Sequence, residues 1–314
     1  MTKLVIQIPC YNEEETILTT LKDLPKTVEG VDTIEVLVIN DGSTDRSVEI
    51  AESWGAKVVN IYPNRGLANA FRTGLQESLK LGADIIVNTD ADNQYSAQDI
   101  GKLVKPILNG KADIVIGARD ISSIKEFSPL KKLLQKFGSC VLRLLSSAPV
   151  EDAPSGFRAF SKDAAIKLNI FDNYTYTMET LIQAKAKELK ILSVPISVNK
   201  QLRESKLVKN IFDYVFKSMK TTIRMFIVYR PFRFFFVFAL ILSLLGIGLV
   251  LRFLYFYTIG EGNGHIQSLI FAAVFLISSL QVGVIAIVGD LLSINRKLLE
   301  DIQTRIKKLE FKQK

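Results

Sequence analysis

Asp90 and Asp92 stand two residues apart in the run Asn88-Thr89-Asp90-Ala91-Asp92-Asn93-Gln94, immediately beyond the apolar stretch Ile85–Thr89. Two carboxylates at this spacing beyond a strand can present oxygens to one hard divalent ion, and Gln94 adds a neutral oxygen at the next alternate position. Mg²⁺ or Mn²⁺ accepts such ligands and bridges a diphosphate. An Asp-x-Asp also arises in solvated loops, so its weight comes from the company it keeps. Pro9-Cys10-Tyr11-Asn12-Glu13-Glu14-Glu15 follows one apolar run, and Asn40-Asp41-Gly42-Ser43-Thr44-Asp45 follows another. Acidic groups there can accept hydrogen bonds from a nucleobase N–H and from ribose hydroxyls. The plainer reading of Asp41–Asp45 is a turn and a helix cap. A dinucleotide pyrophosphate needs Gly-rich amides at the first turn, and neither a GxGxxG nor a P-loop lysine motif is present.

These clusters need a scaffold that sets them side by side. Leu4–Ile8, Ile34–Asn40, Lys57–Ile61, Ile85–Thr89 and Asp113–Gly117 read as strands. Between them Glu13–Leu24, a stretch capped by Ser43-Thr44-Asp45 and running to Trp54, Leu67–Leu81 and Ala97–Leu108 read as helices. Short apolar runs alternating with helices predict a mainly parallel sheet covered on both faces, with the site at the C-terminal strand ends. The polar clusters fall at those ends, as does Ala118–Asp120.

Composition narrows the chemistry. Among 314 residues there is one histidine, His265, and two cysteines, Cys10 and Cys140. A disulfide scaffold and a Cys/His zinc site are excluded, and a histidine-based triad would have to use His265 in a Gly-rich loop. Residues 1–195 hold 23 Lys+Arg and 25 Asp+Glu, whereas residues 196–314 hold 17 against 7. The net charge of +8 therefore belongs to the C-terminal third, beside the apolar runs, which points to a membrane surface and not to nucleic acid.

Leu207–Tyr229 mixes lysines with Ile211, Phe212, Phe216 and Phe226, the pattern of an interfacial amphipathic helix. Phe232–Tyr257 and Ile266–Gly289 are apolar runs of 26 and 24 residues, each long enough to span a bilayer. Arg230 and Arg233 flank the start of this pair, and Arg296 and Lys297 follow it. The positive-inside rule then predicts an integral membrane protein with two spans, both termini and the catalytic domain cytoplasmic, and the Gly260–His265 loop outside. Met1–Pro9 leads straight into a strand, so no cleavable signal peptide is expected. The expected organisation is a catalytic domain over 1–200, juxtamembrane amphipathic helices over 201–231, and a transmembrane hairpin over 232–290. A charged helix over 291–314 completes it and leaves room for a homo-oligomer.

With these residues in view, Pro9–Glu14, Asn40–Asp45, Asn64–Ala70 and Asp90–Gln94 resemble the ordered motifs of family 2 glycosyltransferases, whose fold is the Rossmann-like α/β GT-A fold. Asp152-Ala153-Pro154-Ser155-Gly156-Phe157-Arg158 and Arg203-Glu204-Ser205-Lys206-Leu207 are similar to the dolichyl-phosphate mannose synthase branch. The two C-terminal spans resemble bacterial polyprenyl-phosphate glycosyltransferases. The resemblance implies a UDP- or GDP-linked sugar donor, a polyprenyl phosphate acceptor and a divalent metal, Mg²⁺ or Mn²⁺. Carried over by position, it implies Asp90, Asp92 and Gln94 as the metal and diphosphate site. Pro9, Tyr11, Glu13 and Asp41 match base and ribose contacts; Arg119, Arg203 and Lys206 match phosphate-holding positions; Ser155 matches the segment facing the acceptor phosphate. Two departures stand out. Lys131, Lys132 and Lys136 occur where relatives often carry arginine, and Asn93-Gln94-Tyr95-Ser96 replaces the more familiar Gln-His-Pro-Pro, which leaves the donor sugar open.

A phosphate monoester is largely dianionic at neutral pH and needs no general base to act as a nucleophile. The expected reaction is one in-line displacement at the anomeric carbon with inversion, as the resemblance implies. Asp152 is expected to orient a sugar hydroxyl or an arginine, and Glu179 is either functional or an ordinary helix carboxylate. A processive polysaccharide synthase would need a Gln-x-x-Arg-Trp motif, yet the one tryptophan, Trp54, lies in an early helix. A non-catalytic membrane scaffold of the same fold would have no need of the intact Asp90, Asp92, Gln94 and Arg119 set.

Overall fold

A computed structural model describes residues 1–119, 152–170, 176–199, 223–224 and 227–311, apart from the side chains of residues 262 and 263. The chain divides into two compact units, Met1–Met219 with Gln303–Lys314, and Lys220–Ile302.

In the first unit the elements alternate as β1 (Lys3–Cys10), α1 (Ile17–Asp23), β2 (Thr33–Asn40), α2 (Ser47–Trp54), β3 (Lys57–Asn60), α3 (Leu67–Lys80) and β4 (Ile85–Asn88). A short 3₁₀ turn at Ala97–Asp99 leads into α4 (Ile100–Leu108), then β5 (Ile114–Arg119), β6 (Arg158–Ser161), α5 (Lys162–Lys167), α6 (Tyr176–Ala186) and β7 (Ile191–Ile196). The seven strands form one sheet in the order β3-β2-β1-β4-β6-β5-β7. All neighbouring pairs are parallel except those of β6, which runs antiparallel between β4 and β5. This is the mainly parallel α/β sheet that the alternation predicts, arranged as the GT-A-type fold that the resemblance implies.

Strand alternation explains the two-faced core. In β1, Leu4, Ile6 and Ile8 point into one apolar layer, while Val5 points into the other. In β2, Val38 joins the first layer and Leu37 and Ile39 the second. All seven are essentially inaccessible to solvent, and each contributes about 1.5–3 kcal/mol by leaving water. Because both faces are covered, the strands read as continuous apolar runs and not as alternating ones.

Helix α1 begins at Ile17, not at Glu13. Asn12 takes a left-handed φ of 52°. The Glu13 carbonyl then accepts from the Thr16 and Ile17 amides, so residues 11–16 form a turn at the sheet's edge. Helix α2 starts at Ser47, and Asp45 acts as the expected capping residue, its Oδ1 accepting from the Ser47 amide at 3.0 Å. Strands β6 and β7 are additions to the expected set. Strand β6 is four residues long and opens on Arg158, so it carries little signal alone; its place is fixed by pairing on both sides.

In the second unit, α7 (Pro231–Thr258) matches the first expected span, with Pro231 in its first turn where the missing N–H costs nothing. Gly246 of α7 lets Leu276 approach, and Ser279 Oγ donates to the Ala239 carbonyl at 2.8 Å, so the two apolar helices pack together. Leu244, Leu251 and Leu280 of the pair are 60–72% exposed, unlike side chains in the core of a water-soluble domain. The sequence suggests a span over 266–289 followed by a separate helix, but α8 runs unbroken from Ile266 to Glu310. No proline interrupts residues 290–310, and every residue there except Ser293, Asn295 and Thr304 is apolar, long-chained or charged.

Candidate active site

The parallel order β2-β1-β4 brings three polar clusters to one sheet end. Cys10 pairs with Asn40 in register, and Gln7 pairs with Asn88, so the segments after β1, β2 and β4 leave the sheet side by side. Buried side chains lock them. Gln7 Nε2 donates to Asn88 Oδ1 at 2.8 Å, and Asn40 Nδ2 donates to Asn60 Oδ1 at 2.8 Å.

The first two clusters are laced together. The Asn12 amide donates to Ser43 Oγ at 3.0 Å, the Thr44 amide to Asn12 Oδ1 at 2.8 Å, and the Glu13 amide to Ser47 Oγ at 2.7 Å. Tyr11 is exposed and Glu13 is buried, with its Oε2 accepting from Thr16 Oγ1 at 3.1 Å. Pro9 lies within β1 opposite Ile39. Asp41 is buried, and its two carboxylate oxygens accept from the Arg65 amide at 2.9 Å and the Gly66 amide at 2.7 Å. Asp41 thus organises the Asn64–Ala70 segment and retains lone pairs for a further donor. Gly42, at φ 77°, cannot be replaced freely, since a Cβ there would lie 2.9 Å from the Asn64 nitrogen. Cys10 contributes no nucleophile. Burial pushes its thiol up to about 12, with the Glu13 and Asp45 carboxylates adding to the effect against a hydrogen bond from Ser47.

The third cluster is built against the 152–158 segment. Asp90 faces Gly156: a Cβ on that glycine would sit 3.1 and 3.2 Å from the two carboxylate oxygens and 3.0 Å from Tyr176 Oη. Glycine is what permits this close approach of carboxylate and backbone. The Gly156 amide donates to Tyr95 Oη at 3.1 Å, and Asn88 Nδ2 donates to the Gly156 carbonyl at 2.9 Å and to Tyr176 Oη at 3.0 Å. Both phenols stay protonated. Burial pushes Tyr95 up to about 12 and Tyr176 well above its ordinary value, and the Asp90 charge adds to both.

Arg119, at the end of β5, forms a two-pronged ion pair with Asp152, Nε to Oδ2 at 2.6 Å and Nη2 to Oδ1 at 3.1 Å. Its Nη1 approaches Gln94 Oε1 at 3.4 Å, and its guanidinium lies 5.8 Å from the Tyr95 ring centre. Burial disfavours the Arg119 charge, but Tyr95, Asp152 and Asp90 together hold its pKa above the ordinary arginine value. Of the two roles expected of Asp152, the structure shows the arginine one.

Asp92 Oδ1 accepts from the Gln94 amide at 3.1 Å, with Asn93 at φ 55° between them. Asn199 pins this turn: its amide donates to the Gln94 carbonyl at 2.9 Å and its Nδ2 to the Asn93 carbonyl at 3.1 Å. Asn199 carries no signal in the sequence, because only the pairing beyond β7 brings it here. Ser155 is fully buried, and its Oγ has no hydrogen-bond partner among the described residues. Arg158 is also fully buried, donating to the carbonyls of Ser155, Thr177 and Ala153 and to Thr180 Oγ1. Burial lowers its pKa to about 10, so the side chain remains a cation that ties the 153–155 loop to α6. Glu179 is a buried carboxylate of α6 that accepts from Gln183 Nε2 at 3.3 Å. Arg203, Lys206, Lys131, Lys132 and Lys136 lie outside the described residues.

No group of three or more His, Cys, Asp or Glu side chains suited to a metal occurs among the described residues. The donor set at the β4 end is two carboxylates and one amide oxygen. It suits a hard divalent ion that takes its remaining oxygens from a bound diphosphate or water. The Gly156 cradle around Asp90 fits that use, since it leaves one carboxylate face against backbone and Tyr176 and admits no side chain.

The description of glycosyl transferase family 2 matches residues 5–168. The UDP-N-acetylglucosamine–dolichyl-phosphate N-acetylglucosaminyltransferase of Methanococcus voltae is 35% identical over 212 residues, covering 60% of this chain and 82% of that protein. The dolichol-phosphate mannosyltransferase of Pyrococcus furiosus is 31% identical over 233 residues, covering 69% and 64% respectively. Among solved structures, glucosyl-3-phosphoglycerate synthase from Mycobacterium tuberculosis, crystallised with Mn²⁺, UDP and glucosyl-3-phosphoglycerate, superposes with a TM-score of 0.57. It shares 21% sequence identity over 72% of this chain and 79% of that one, a likeness of fold. With the GT-A sheet, the carboxylate-bearing strand ends and these matches together, the chain belongs to glycosyl transferase family 2 and is a glycosyltransferase.

Proposed function

We propose that this enzyme transfers a sugar from a nucleoside-diphosphate sugar to a polyprenyl phosphate at the cytoplasmic face of a membrane. The observation that carries the reading is a family 2 catalytic domain on the same chain as two helices long and apolar enough to cross a membrane, with apolar side chains left exposed. Relatives whose names specify dolichyl-phosphate acceptors support the same acceptor chemistry. The domain boundaries follow suit: catalytic residues 1–200, juxtamembrane residues 201–231, the hairpin 232–290 and the C-terminal segment 291–314.

Pro9, Tyr11, Glu13 and Asp41 would receive the base and ribose, with the Asn12–Thr44 lacing holding that wall in place. Asp90, Asp92 and Gln94 would hold Mg²⁺ or Mn²⁺. When bound, the ion neutralises the charge that develops on the departing diphosphate. The acceptor's phosphate oxygen forms a bond to the anomeric carbon while the bond from that carbon to the nucleoside diphosphate breaks. The electron pair leaves with the nucleoside diphosphate, and the configuration inverts. No side chain need remove a proton, because the phosphate is already dianionic. The protein's part is positioning and charge. Arg119, held by Asp152, presents its remaining N–H beside Gln94. Ser155 Oγ has no partner among the described residues and would face the acceptor phosphate, and Arg203 and Lys206 would complete that phosphate's surroundings.

The reading is tested by incubating the purified full chain with a panel of UDP- and GDP-sugars, a polyprenyl phosphate and Mg²⁺ or Mn²⁺. One donor should yield a chloroform-extractable sugar phospholipid that EDTA abolishes. Release of free sugar only, or transfer to a growing polysaccharide instead of the lipid, would overturn it. Orientation has its own test. A cysteine placed at Asn263 should react with an impermeant thiol reagent on intact cells, and labelling confined to lysed cells would reverse the topology.

A further inference from the structure

Helix α8 beyond Gly289 is amphipathic in the reverse sense from most docked helices. At 3.6 residues per turn, Ser293, Arg296, Glu300, Lys307 and Phe311 share one face. That face is the one engaged by the chain itself. Ser293, Glu300 and Phe311 are buried, Arg296 pairs with Glu300 at 3.1 Å, and the Arg296 guanidinium stacks 3.7 Å over the Tyr229 ring. Lys307 Nζ donates to the carbonyls of Ile166 and Leu168 and to Asn169 Oδ1 at 2.8 Å. Half a turn away, Leu291, Ile294, Leu298, Ile302, Ile306 and Leu309 recur every three or four residues and stay 46–66% exposed. Leu292 and Leu299 widen this stripe on one side. The polar face is already used, so among the described residues the apolar one has no partner.

The bilayer does not supply one. A 45-residue helix is about 68 Å long against a hydrocarbon layer of about 30 Å. Because α8 is unbroken, the residues after Gly289 continue out of that layer and do not lie in its plane. Two polar residues share the stripe's face, the uncharged Asn295 in its first half and Arg305 near its end, and both are exposed. One asparagine in an apolar helix seam is the device that fixes a parallel, in-register pair, since each amide meets its own symmetry mate. Two copies inserted in the same membrane already project α8 from the same side, which enforces parallel orientation and raises the local concentration of each face for the other. Leu291 and Ile302, and Leu298 and Leu309, are separated by eleven residues, a period that suits a straight to slightly right-handed pair.

We propose that the Leu291–Leu309 stripe is a homotypic docking surface through which two copies of this chain pair α8 with α8, parallel and in register. The pairing rests on the reading of α7 and α8 as membrane spans but not on the identity of donor or acceptor. Its test uses the full chain in native membranes, with Cys10 and Cys140 replaced by alanine and single cysteines introduced in turn at Asn295, Ile302 and Lys297. Oxidation should link Asn295→Cys and Ile302→Cys chains into dimers at least fivefold more efficiently than Lys297→Cys, which lies off the stripe. In nanodiscs the unmodified chain should have the mass of a dimer or a multiple of it, and Leu298→Glu/Ile302→Glu that of a monomer with unchanged melting of the catalytic domain. Equal cross-linking at all three sites, no cross-linking, a monomeric wild type, or a stripe occupied by a different protein would each overturn the proposal. Alkaline carbonate extraction separates the two readings: release from the membrane would overturn the spans, whereas retention without cross-links would overturn only the pairing.

Discussion

Asp92→Asn should leave the protein folded and nearly abolish transfer. The substitution keeps shape and removes one negative charge from the proposed donor set of only two carboxylates and one amide, Asp90, Asp92 and Gln94. It also preserves an oxygen that can accept the Gln94 amide, so the turn that the wild-type Asp92 Oδ1 holds at 3.1 Å survives. Loss of a metal-neutralised leaving group is expected to lower kcat by about 10³-fold or more, while melting without metal moves by no more than about 1 °C. Titration of the apoprotein with Mn²⁺, followed by the electron paramagnetic resonance of the free ion, should show affinity weakened at least tenfold. Normal turnover in this variant would sink the metal assignment. Weak turnover with unaltered Mn²⁺ affinity would instead move Asp92 from metal ligand to sugar or diphosphate contact.

The second large effect is on stability and comes from Asp152. Its carboxylate is fully buried and meets Arg119, itself only 10% exposed, through both prongs of the guanidinium. Asp152→Ala leaves that cation buried and unpaired, and breaking such a pair typically costs about 3–5 kcal/mol. For a domain of this size each kcal/mol is worth roughly 2–4 °C, so melting should fall by about 6–20 °C. Adding Arg119→Met removes the orphaned charge and should recover much of the stability. Activity should not return with it, because the guanidinium beside Gln94 is gone. Melting and transfer measured on wild type, both single variants and the double variant give the answer. A double variant as unstable as Asp152→Ala would show that Asp152 serves some partner other than Arg119. Full activity in the double variant would remove Arg119 from the site.

The same pair shows where sequence reasoning reached and where it stopped. Asp152 and Arg119 are 33 positions apart, and each was legible as a candidate site residue only through resemblance. Their bond depends on β6 running antiparallel beside β5, which brings the 152–158 segment back over the C-terminal end of β4. Four residues beginning with arginine give no period from which to read such a strand. The same blind spot hid Asn199, whose clamp on Asn93 and Gln94 exists only once the chain beyond β7 passes the Asp92 turn. Tyr95 and Tyr176 look like ordinary aromatic residues until their hydroxyls are seen holding Gly156 against Asp90.

What the residues alone determined is the part ruled by short-range physics. Apolar runs of four to eight residues separated by helical periods specify a parallel sheet covered on both faces. That topology delivers the polar segments after β1, β2 and β4 to one edge. Apolar stretches of 26 residues, charged only at Arg233 and Arg252, and of 24 residues without a charge specify two helices too apolar for a water-filled surface. What tertiary structure alone decided is which polar groups meet. Asp41 turned inward to the Arg65 and Gly66 amides, Arg158 became a buried tie and not a surface cation, and Gly156 proved necessary for close approach. It also decided which face of α8 is used. The sequence of 291–314 reads as a charged amphipathic helix and leaves open which face docks on its own chain. Arg296 on Tyr229 and Lys307 on the carbonyls of Ile166 and Leu168 dock the polar face. Periodicity fixes which residues share a face of a helix, but hydrogen-bonding and stacking partners far away in the chain fix which face turns inward.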